Sequence, residues 1–440
     1  MKVITDFHIH SRYARATSKD LSIKNLEKYA RVKGVNLLGT GDFTHPEWFA
    51  EIKKELTEDG TGILKTKTGF PFLLSVEVSN IYPQDGKLRR IHNVILAKSI
   101  EVAQQINALL NKKGKLASDG RPIFGKYTCY EMVEDLRKID KDIEVVPAHI
   151  WTPWFSLFGA NSGFDSVEEC FKDQAQYIHA LETGLSSDPA MNWRVSALDK
   201  YTLVSNSDLH SFWPWRLGRE ANIIEMKDIT YKAFLDALRT KKNFVETIEV
   251  DPSFGKYHFT GHRNCNIVMA PSEAQKLKNI CPVCKKKLTV GVLERVEELA
   301  DRPEGFAPKD AIPFKSIIPL SEIINAVTGK AVSSKYSWQE YYRLVSRKEG
   351  RSEYDILLNL DKKELEKLSS PELAEAIMMN REGRVEISPG YDGVYGVPKI
   401  GIKKEAEEDD VSFPKKEKPK KEQPKPKKNN SQKGLNEFYK

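Results

Sequence analysis

The chain has 440 residues, enough for two or three domains, and its 40% hydrophobic and 30% charged residues are typical of a globular protein. No apolar run approaches the roughly 20 residues that cross a bilayer, and the start MKVITDFHIH lacks the apolar core of a secretory signal, so we expect a cytoplasmic protein. The net charge of +7 lies in residues 411–440, which hold ten Lys and three Glu. The rest of the chain is near neutral, so any basic groove there must be local.

Short apolar runs alternate with amphipathic stretches over the first half of the chain. The predicted strands are 3–8, 36–41, 72–78, 92–97, 144–149, 177–182 and 202–206. Helical stretches fall between most of them, at 22–33, 47–57, 99–113, 129–140, 165–175 and 189–199. This alternation predicts an α/β fold over residues 1–248, and the number of strands favours a barrel over an open sheet.

The second half of the chain changes composition several times. Residues 249–295 cluster His, Cys and Lys, and residues 296–402 are predicted to be a helical domain, with helices near 319–328, 337–347 and 361–380. Residues 403–430 consist mainly of Lys, Glu and Pro. Such a segment buries too little apolar surface to offset its ordering entropy, so we predict a disordered linker.

Residue types that bind metals recur where the predicted strands end. Because the carboxyl ends of parallel strands meet at one rim of a barrel, we expect these side chains to converge there, and imidazole and carboxylate groups are ligands of divalent metals. They are His8, His10, Asp42, His45, Glu77, His149, Asp208 and His210. His92 starts the fourth predicted strand, and it reaches the same rim only if the third and fourth strands form an antiparallel hairpin. His179 lies within a strand and is predicted to be structural.

The segments DFHIH, GTGDFTH, SVEVS, HNVILA, PAHI and SDLH resemble the ordered metal-binding motifs of the polymerase and histidinol phosphatase (PHP) superfamily. The resemblance implies a distorted (β/α)7 barrel that holds two or three divalent metals and hydrolyses phosphate esters. Carried over residue by residue, the ligands are His8, His10, Asp42, Glu77, His92, His149, Asp208 and His210. The second motif usually has adjacent Asp and His, whereas here Asp42 and His45 are separated, so either could be the ligand.

A multinuclear site lowers the pKa of bound water toward neutrality and stabilises the attacking and leaving oxygens at phosphorus. Glu77 is the predicted bridging carboxylate, and His45 or Asp208 is expected to assist proton transfer. We expect Zn²⁺ in the barrel, with Mg²⁺ or Mn²⁺ as alternatives for activity.

A second metal site is predicted from GHRNC and CPVC, which place two short ligand pairs 15 residues apart. This is the spacing of a tetrahedral zinc site with the ligands His262, Cys265, Cys281 and Cys284. Four protein ligands leave no open position, so we expect a structural role; His258 is the alternative to His262. The remaining Cys129 and Cys170 are predicted to be buried apolar side chains.

The loops after the predicted ligands are aromatic, since HPEWF, HIWTPWFSLF and HSFWPWR contain five of the seven Trp. Flat faces beside a phosphate-cleaving site suit stacking on bases, so Trp151, Trp154 and Trp213 are candidate DNA contacts; the alternative is a hydrophobic lid over the barrel mouth. The polar loop after the sixth strand adds candidate base readers, or helix-capping residues. These are Ser186, Ser187 and Asn192.

The last ten residues, SQKGLNEFYK, contain the pattern Q-x-x-L-x-x-F-Y formed by Gln432, Leu435, Phe438 and Tyr439. The pattern resembles the PIP box, the peptide that docks on the PCNA sliding clamp. One helical turn would place the three apolar side chains on one face, and the flexible segment before it would tether the enzyme to the clamp.

Together with LETGLSSDPAMNWR (181–194), the barrel motifs, the CPVC module, the helical region and the tail resemble the archaeal endonuclease Q family. The resemblance implies a DNA repair endonuclease that nicks the strand 5′ of a deaminated base (uracil, hypoxanthine or xanthine) or an abasic site. The expected partners are double- or single-stranded DNA with such lesions and PCNA, which would associate the protein with the nucleoid. The alternatives are a phosphoesterase for small monoesters such as histidinol phosphate, and a clamp-bound scaffold with a degenerate barrel.

Overall fold

A curved mixed sheet forms the centre of the molecule, whose residues 1–400 are described by a computed structural model. The strands of the barrel region are β1 (Lys2–Asp6), β2 (Leu37–Gly39), β3 (Thr57–Glu58), β4 (Leu64–Lys65), β5 (Pro71–Gln84), β6 (Lys87–Ala97), β7 (Ile123–Gly125), β8 (Glu144–Pro147), β9 (Ala180–Glu182), β10 (Thr202–Val204), β11 (Ala221–Glu225) and β12 (Phe244–Glu249). All seven predicted strands are present. The sequence analysis missed β3, β4, β7, β11 and β12. β11 pairs antiparallel with β1, and β12 pairs antiparallel with β11.

The strand pairing brings the predicted ligands to one rim. β1, β2 and β5 pair in parallel, and β5 forms a long antiparallel hairpin with β6 in which Ser79 lies opposite His92. This hairpin is the arrangement on which the position of His92 depends, and it is confirmed. Main-chain hydrogen bonds from Ile150 N to Glu182 O (3.0 Å) and from Asp208 N to His8 O (3.1 Å) connect the exits of the remaining strands around the rim.

Helices between the strands cover the sheet. They are α1 (Ile23–Lys33), α2 (Pro46–Glu55), α3 (Ile100–Leu110), α4 (Cys129–Ile139), α5 (Val167–Phe171), α6 (Pro189–Asn192) and α7 (Tyr231–Thr240). Their starts follow capping rules: Ser22 Oγ accepts from Asn25 N at α1, and Thr128 forms a capping box with Glu131 at α4. The helices predicted at 165–175 and 189–199 are shorter than expected, because the first is broken where Lys172 has φ 51° and the second is two separate turns.

Two buried apolar clusters hold this region together. The larger lies between the sheet and the surrounding helices, and the smaller joins Phe7 and Val204 to Phe234 and Leu238 of α7. The rings of Phe7 and Phe234 meet edge to face at 5.4 Å. Because Phe7 directly precedes the rim residue His8, the packing of α7 fixes the strand end that carries the first predicted ligands.

The chain after the barrel contains more sheet than predicted. Its strands are β13 (Thr260–His262), β14 (Ile267–Met269), β15 (Phe314–Ser316), β16 (Glu386–Ser388) and β17 (Val397–Lys399), and its helices are α8 (Pro271–Lys276), α9 (Val292–Leu299), α10 (Leu320–Thr328), α11 (Lys335–Leu344), α12 (Lys362–Leu368) and α13 (Pro371–Arg381). β15 pairs with β12 in parallel, so part of the predicted helical domain completes the barrel sheet.

The predicted domain boundaries at 248, 295 and 402 stay predictions. The predicted linker 403–430 and the clamp peptide 431–440 lie outside the described residues. Among residues 1–400, no helix combines the length and apolarity that a membrane crossing requires.

Candidate active site

Two histidines at the exit of β1 point into the rim, each oriented by a carboxylate. His8 Nδ1 donates to the Glu182 carboxylate (2.9 Å), and His10 Nδ1 donates to Asp42 Oδ1 (3.0 Å). All four side chains are buried. Holding Nδ1 in this way leaves Nε2 as the free donor atom, which is how metal-ligating histidines are usually oriented.

Glu77 lies between two sets of imidazoles. Its Oε1 is 2.7 Å from His92 Nδ1 and 3.1 Å from His149 Nε2, whereas its Oε2 is 3.2 Å from His10 Nε2 and 3.7 Å from His8 Nε2. Burial raises the pKa of Glu77, but the neighbouring His92 and Arg121 hold it well below its ordinary value. Each of the two carboxylate oxygens thus faces a different set of imidazoles.

These side chains form two donor groups that share Glu77, and within each group the donor atoms lie within 4.8 Å of one another. The first group is His8, His10, Glu77 and Asp208; the second is Glu77, His92 and His149. In the first group His8 Nε2, His10 Nε2 and Asp208 Oδ1 are buried and make no hydrogen bond. Buried polar atoms without a partner are costly, so this donor set suits divalent cations.

The backbone at the rim is unusual at three non-glycine residues. Asp42, His149 and Asp208 have φ values of 46°, 31° and 45°, in the region that L-residues rarely adopt. Such conformations cost free energy and cluster at functional sites, where the surrounding structure enforces them. Here they turn side chains at the strand exits into the centre of the rim.

Three of the predicted ligands or catalytic residues lie outside both donor groups. Asp42 accepts hydrogen bonds on both oxygens, one from His10 Nδ1 and one from Ser11 N (2.6 Å), and so orients the imidazole of His10. His45 precedes α2 and stacks on Tyr13 at 4.3 Å. The structure therefore favours neither residue as the ligand of the second motif.

His210 lies beside the first donor group. Its ring centroid is 4.8 Å from that of His10, and its Nδ1 donates to the main-chain oxygen of Asp208 (3.0 Å). With Nδ1 bound to the backbone, His210 can contribute only Nε2. Six of the eight carried-over residues thus fall in the two donor groups, while metal binding by Asp42 and His210 stays a prediction.

The sequence analysis missed two charged residues at the rim. Glu182 ends β9 and, besides His8, accepts from His149 N (2.8 Å) and Asn206 Nδ2 (2.9 Å). The rule that found the ligands also applies to it, since it ends the predicted strand 177–182. Arg121 lies on the loop before β7, with Nη1 3.0 Å from Glu77 Oε2, and no local pattern marks it. His179, predicted to be structural, belongs to neither donor group; its Nδ1 lies 2.8 Å from Glu144 Oε1.

The second predicted metal site is assembled as a Cys3His cluster. His262 ends β13, Cys265 follows in a turn, and the donor atoms of these residues and of Cys281 and Cys284 lie within 4.8 Å of one another. Burial raises the pKa of the Cys281 thiol, but main-chain N–H groups of the CPVC loop outweigh it and lower the pKa to about 6. Ready thiolate formation and this ligand set suit zinc.

His258 is not part of that cluster. It is buried and stacks on Phe259 at 5.3 Å, so the preference for His262 over His258 agrees with the geometry. Cys129 and Cys170 are both free and buried, as predicted.

Parts of the chain match a family model and an uncharacterised relative. A family model described as the MJ0043 C-terminal domain matches residues 319–384, which contain α10 to α13. The uncharacterised protein MJ0043 of Methanocaldococcus jannaschii is 35% identical over 266 residues, which are 59% of this chain and 32% of that protein. The chain therefore spans about a third of the length of this relative.

Two solved structures match most of the chain. The lesion-specific endonuclease PfuEndoQ from Pyrococcus furiosus is 32% identical with a TM-score of 0.81, over 91% of this chain and 96% of that one. The chain belongs to the endonuclease Q family. A structure of endonuclease Q with a 27-mer duplex that carries an abasic lesion at its active site is also 32% identical, with a TM-score of 0.82, over 91% of this chain and 97% of that one.

Within this endonuclease Q family member, several candidate DNA contacts are buried. Trp151 is 1% exposed, donates from Nε1 to Asn192 Oδ1 (2.8 Å) and packs on Phe158. Ser186, Ser187 and Asn192 are buried as well, and the cap of α6 is Asp188, which accepts from Met191 N. The cap of α6 is therefore none of Ser186, Ser187 and Asn192, and contact of the four buried residues with DNA stays a prediction.

The other two Trp candidates are half-buried. Trp154 meets Tyr257 edge to face at 5.8 Å. Trp213 stacks on Trp215 at 5.6 Å with an interplanar angle of 11°, and Trp338 of α11 contacts both rings. In this endonuclease Q family member, α11 thus covers part of the aromatic loop that follows His210. The rings of Trp213 and Trp215 are packed in an aromatic cluster, as in the lid alternative, and stay partly accessible to solvent.

Proposed function

We propose that this chain is a metal-dependent endonuclease that nicks DNA on the 5′ side of a deaminated base or an abasic site and leaves a 3′-hydroxyl and a 5′-phosphate. The observation that carries this function is the pair of donor groups sharing Glu77 at the rim of an endonuclease Q family barrel. The lesion in the related complex supports DNA damage as the substrate class.

The donor sets define which residues would hold metal ions. His8, His10, Glu77 and Asp208 would hold one ion, and Glu77, His92 and His149 a second. Four imidazoles favour Zn²⁺, and Mn²⁺ or Mg²⁺ are the alternatives. When bound, such ions activate water and stabilise negative charge on the oxygens of an in-line displacement at phosphorus.

The hydrolysis breaks the P–O3′ bond and forms a P–O bond to water. One proton leaves the attacking water and one reaches the departing 3′ oxygen, so a proton carrier is needed on each side of the phosphorus. Asp208, 31% exposed at the rim, is our candidate for the attacking side. His45 is our second candidate, because its buried Nδ1 makes no hydrogen bond.

Lesion selection requires access to a base that leaves the stack. Rotating a nucleotide out of a duplex costs a few kcal/mol, least for a mismatched or missing base. The half-buried rings of Trp154, Trp213 and Trp215 offer π-faces close to the rim for the displaced base or its former neighbours.

The test is nicking of end-labelled duplexes that differ only in one uracil, one abasic site or no lesion, with and without added divalent metal. We expect cleavage 5′ of the lesion and almost none of the undamaged duplex. Equal rates on all three duplexes would reject damage recognition. Hydrolysis of histidinol phosphate without any nicking would instead establish the small-monoester phosphoesterase.

We also propose that residues Gln432–Tyr439 dock on PCNA. Support comes from the Q-x-x-L-x-x-F-Y pattern and from the Lys- and Pro-rich segment before it, both outside the described residues. Deleting Gln432–Tyr439 should leave nicking of short duplexes unchanged and remove stimulation by the clamp. Loss of basal nicking in this variant would contradict a docking role.

A further inference from the structure

Among residues 1–400, Arg121 is the one charged side chain that contacts the carboxylate of Glu77 without being of a type that binds metals. Its Nη1 is 3.0 Å from Glu77 Oε2, and its side chain is 27% exposed, so the guanidinium touches the donor groups and also faces outward. A guanidinium keeps its charge at any physiological pH and offers donors in a planar fork.

The loop that carries Arg121 is anchored on both sides. Gly120 N donates to Tyr13 O (2.9 Å), and Ser79 N donates to Pro122 O (3.0 Å). A side chain at Gly120 would collide with the Asp42 carboxylate, which orients His10. Asp119 Oδ1 accepts from Arg121 N (3.1 Å) and closes the turn. The chain therefore delivers Arg121 to a fixed position, which is what a group acting on reacting atoms requires.

The positive charge of Arg121 beside the donor groups indicates which kind of ligand this side chain would bind. Glu77 and Asp208 both attract the Arg121 guanidinium, but the metal ions that the donor groups suit would offset the charge of these carboxylates. With those ions bound, the guanidinium would favour a further anion beside it. A phosphodiester supplies one, with two non-bridging oxygens that match the guanidinium fork.

We propose that Arg121 is a further catalytic residue, whose guanidinium binds a non-bridging oxygen of the scissile phosphate and stabilises the charge that develops there as water attacks. This role rests on the proposed function for its DNA substrate. It requires only a phosphodiester at the rim, so it extends to small diesters as well. Removing one such preorganised donor typically lowers turnover about 100- to 1,000-fold.

The experiment compares wild-type protein with Arg121→Ala, Arg121→Lys and the control Arg137→Ala. Arg137 lies on α4, where its guanidinium covers the Tyr177 ring. Single-turnover nicking of a duplex with one abasic site, hydrolysis of bis(p-nitrophenyl) phosphate, bound metal per chain and the melting temperature are measured for each. Nicking by Arg121→Ala is repeated with added guanidinium ion at concentrations that leave the melting temperature unchanged.

We expect Arg121→Ala to react about 100- to 1,000-fold more slowly on both substrates with unchanged metal content. Arg121→Lys should be intermediate, Arg137→Ala unchanged, and added guanidinium should restore part of the activity of Arg121→Ala only. Loss of metal from Arg121→Ala, or no rescue, would mean that Arg121 merely positions Glu77 and would overturn the catalytic role. If wild-type protein cleaves the small diester but not the abasic duplex, the DNA function fails, while the rate of Arg121→Ala on the diester still decides the role of Arg121.

Discussion

Two networks of buried polar side chains in this protein differ in how many of their atoms are hydrogen-bonded. At the joint between α1 and the helical segment, Lys33 Nζ donates to Glu353 Oε1 (2.7 Å) and to Pro214 O (3.0 Å), and Glu353 Oε2 accepts from Tyr341 (2.6 Å). At the rim, the inward atoms of His8, His10 and Asp208 make no hydrogen bond.

This difference distinguishes a structural network, the joint, from a ligand-binding network, the rim. The joint satisfies both carboxylate oxygens, so its burial cost is offset within the fold. The rim leaves donor atoms without partners and holds backbone in rarely adopted conformations, which is favourable only with a ligand. The two networks are connected by residues 208–218, because Pro214 and Gly218 both accept hydrogen bonds from the joint.

The largest expected effect comes from removing a rim charge. Asp208→Asn keeps the size of the side chain and a residue type that tolerates φ 45°, but it removes the anionic donor. We expect nicking to fall by about 1,000-fold or more, since several kcal/mol of charge stabilisation depend on the metal centre. Asp236→Asn on the exposed face of α7 is the control. Near-normal turnover by Asp208→Asn would contradict its place in the centre.

Removing one charge of the Lys33–Glu353 pair should lower the stability of the fold more than the rate of nicking. Glu353→Gln leaves the Lys33 ammonium buried without a counter-charge, and we expect the free energy of unfolding to fall by about 3–5 kcal/mol. Urea titration measures it. The double variant Lys33→Met/Glu353→Leu should recover most of the loss, because neither charge remains. If the double variant is as unstable as Glu353→Gln, packing and not charge dominates the joint.

Replacing the residue behind a ligand should have an intermediate effect. Asp42→Asn removes the anion that orients His10, so we expect metal affinity to drop about 10- to 100-fold. Metal titration of the chelator-treated protein measures it, with the exposed Asp59→Asn as control. An unchanged affinity would show that Ser11 and Gly120 suffice to hold the site.

The smallest expected effect concerns the pH dependence of stability that the buried carboxyl group of Glu249 causes. Burial raises the pKa of Glu249 to about 7, although it accepts hydrogen bonds from Thr247 and Ser205. Because the folded pKa exceeds the unfolded value, the folded state binds more protons, and stability is highest below about pH 4.5 and falls as the pH rises through 7. We expect a decrease on the order of 1 kcal/mol per pH unit between pH 5 and 7, measured by urea titration. The slope should be smaller in Glu249→Gln but not absent, because burial and Glu249 also raise the pKa of the neighbouring Glu220. An undiminished slope in Glu249→Gln would assign the effect to another group.

The sequence predicted the rim because strand ends are visible in a pattern of apolar runs. Glu77 and Asp208 follow such runs, and the topology of parallel strands brings them together. Burial is less visible in the sequence. Trp151 follows β8 and Asn192 ends α6, two segments whose composition suits a surface, yet their side chains are hydrogen-bonded in the interior.

Pairings across long distances in the chain could not be predicted. Lys33 and Glu353 are 320 positions apart, and neither lies in a pattern that names the other. Arg121 lies on a loop whose course depends, besides its own turn at Asp119, on contacts with the distant residues Tyr13 and Ser79.

The hydrogen bonds from Lys33 and Tyr354 to Pro214 and Gly218 make the barrel depend on the helical segment. A version of the chain that stopped before residue 319 would leave the Lys33 ammonium stranded and the Trp213 and Trp215 rings bare. The segment that matches a family model of its own is thus packed against α1 and against the aromatic loop that follows His210. Shortening the protein at that boundary should yield an insoluble barrel, not a smaller nuclease.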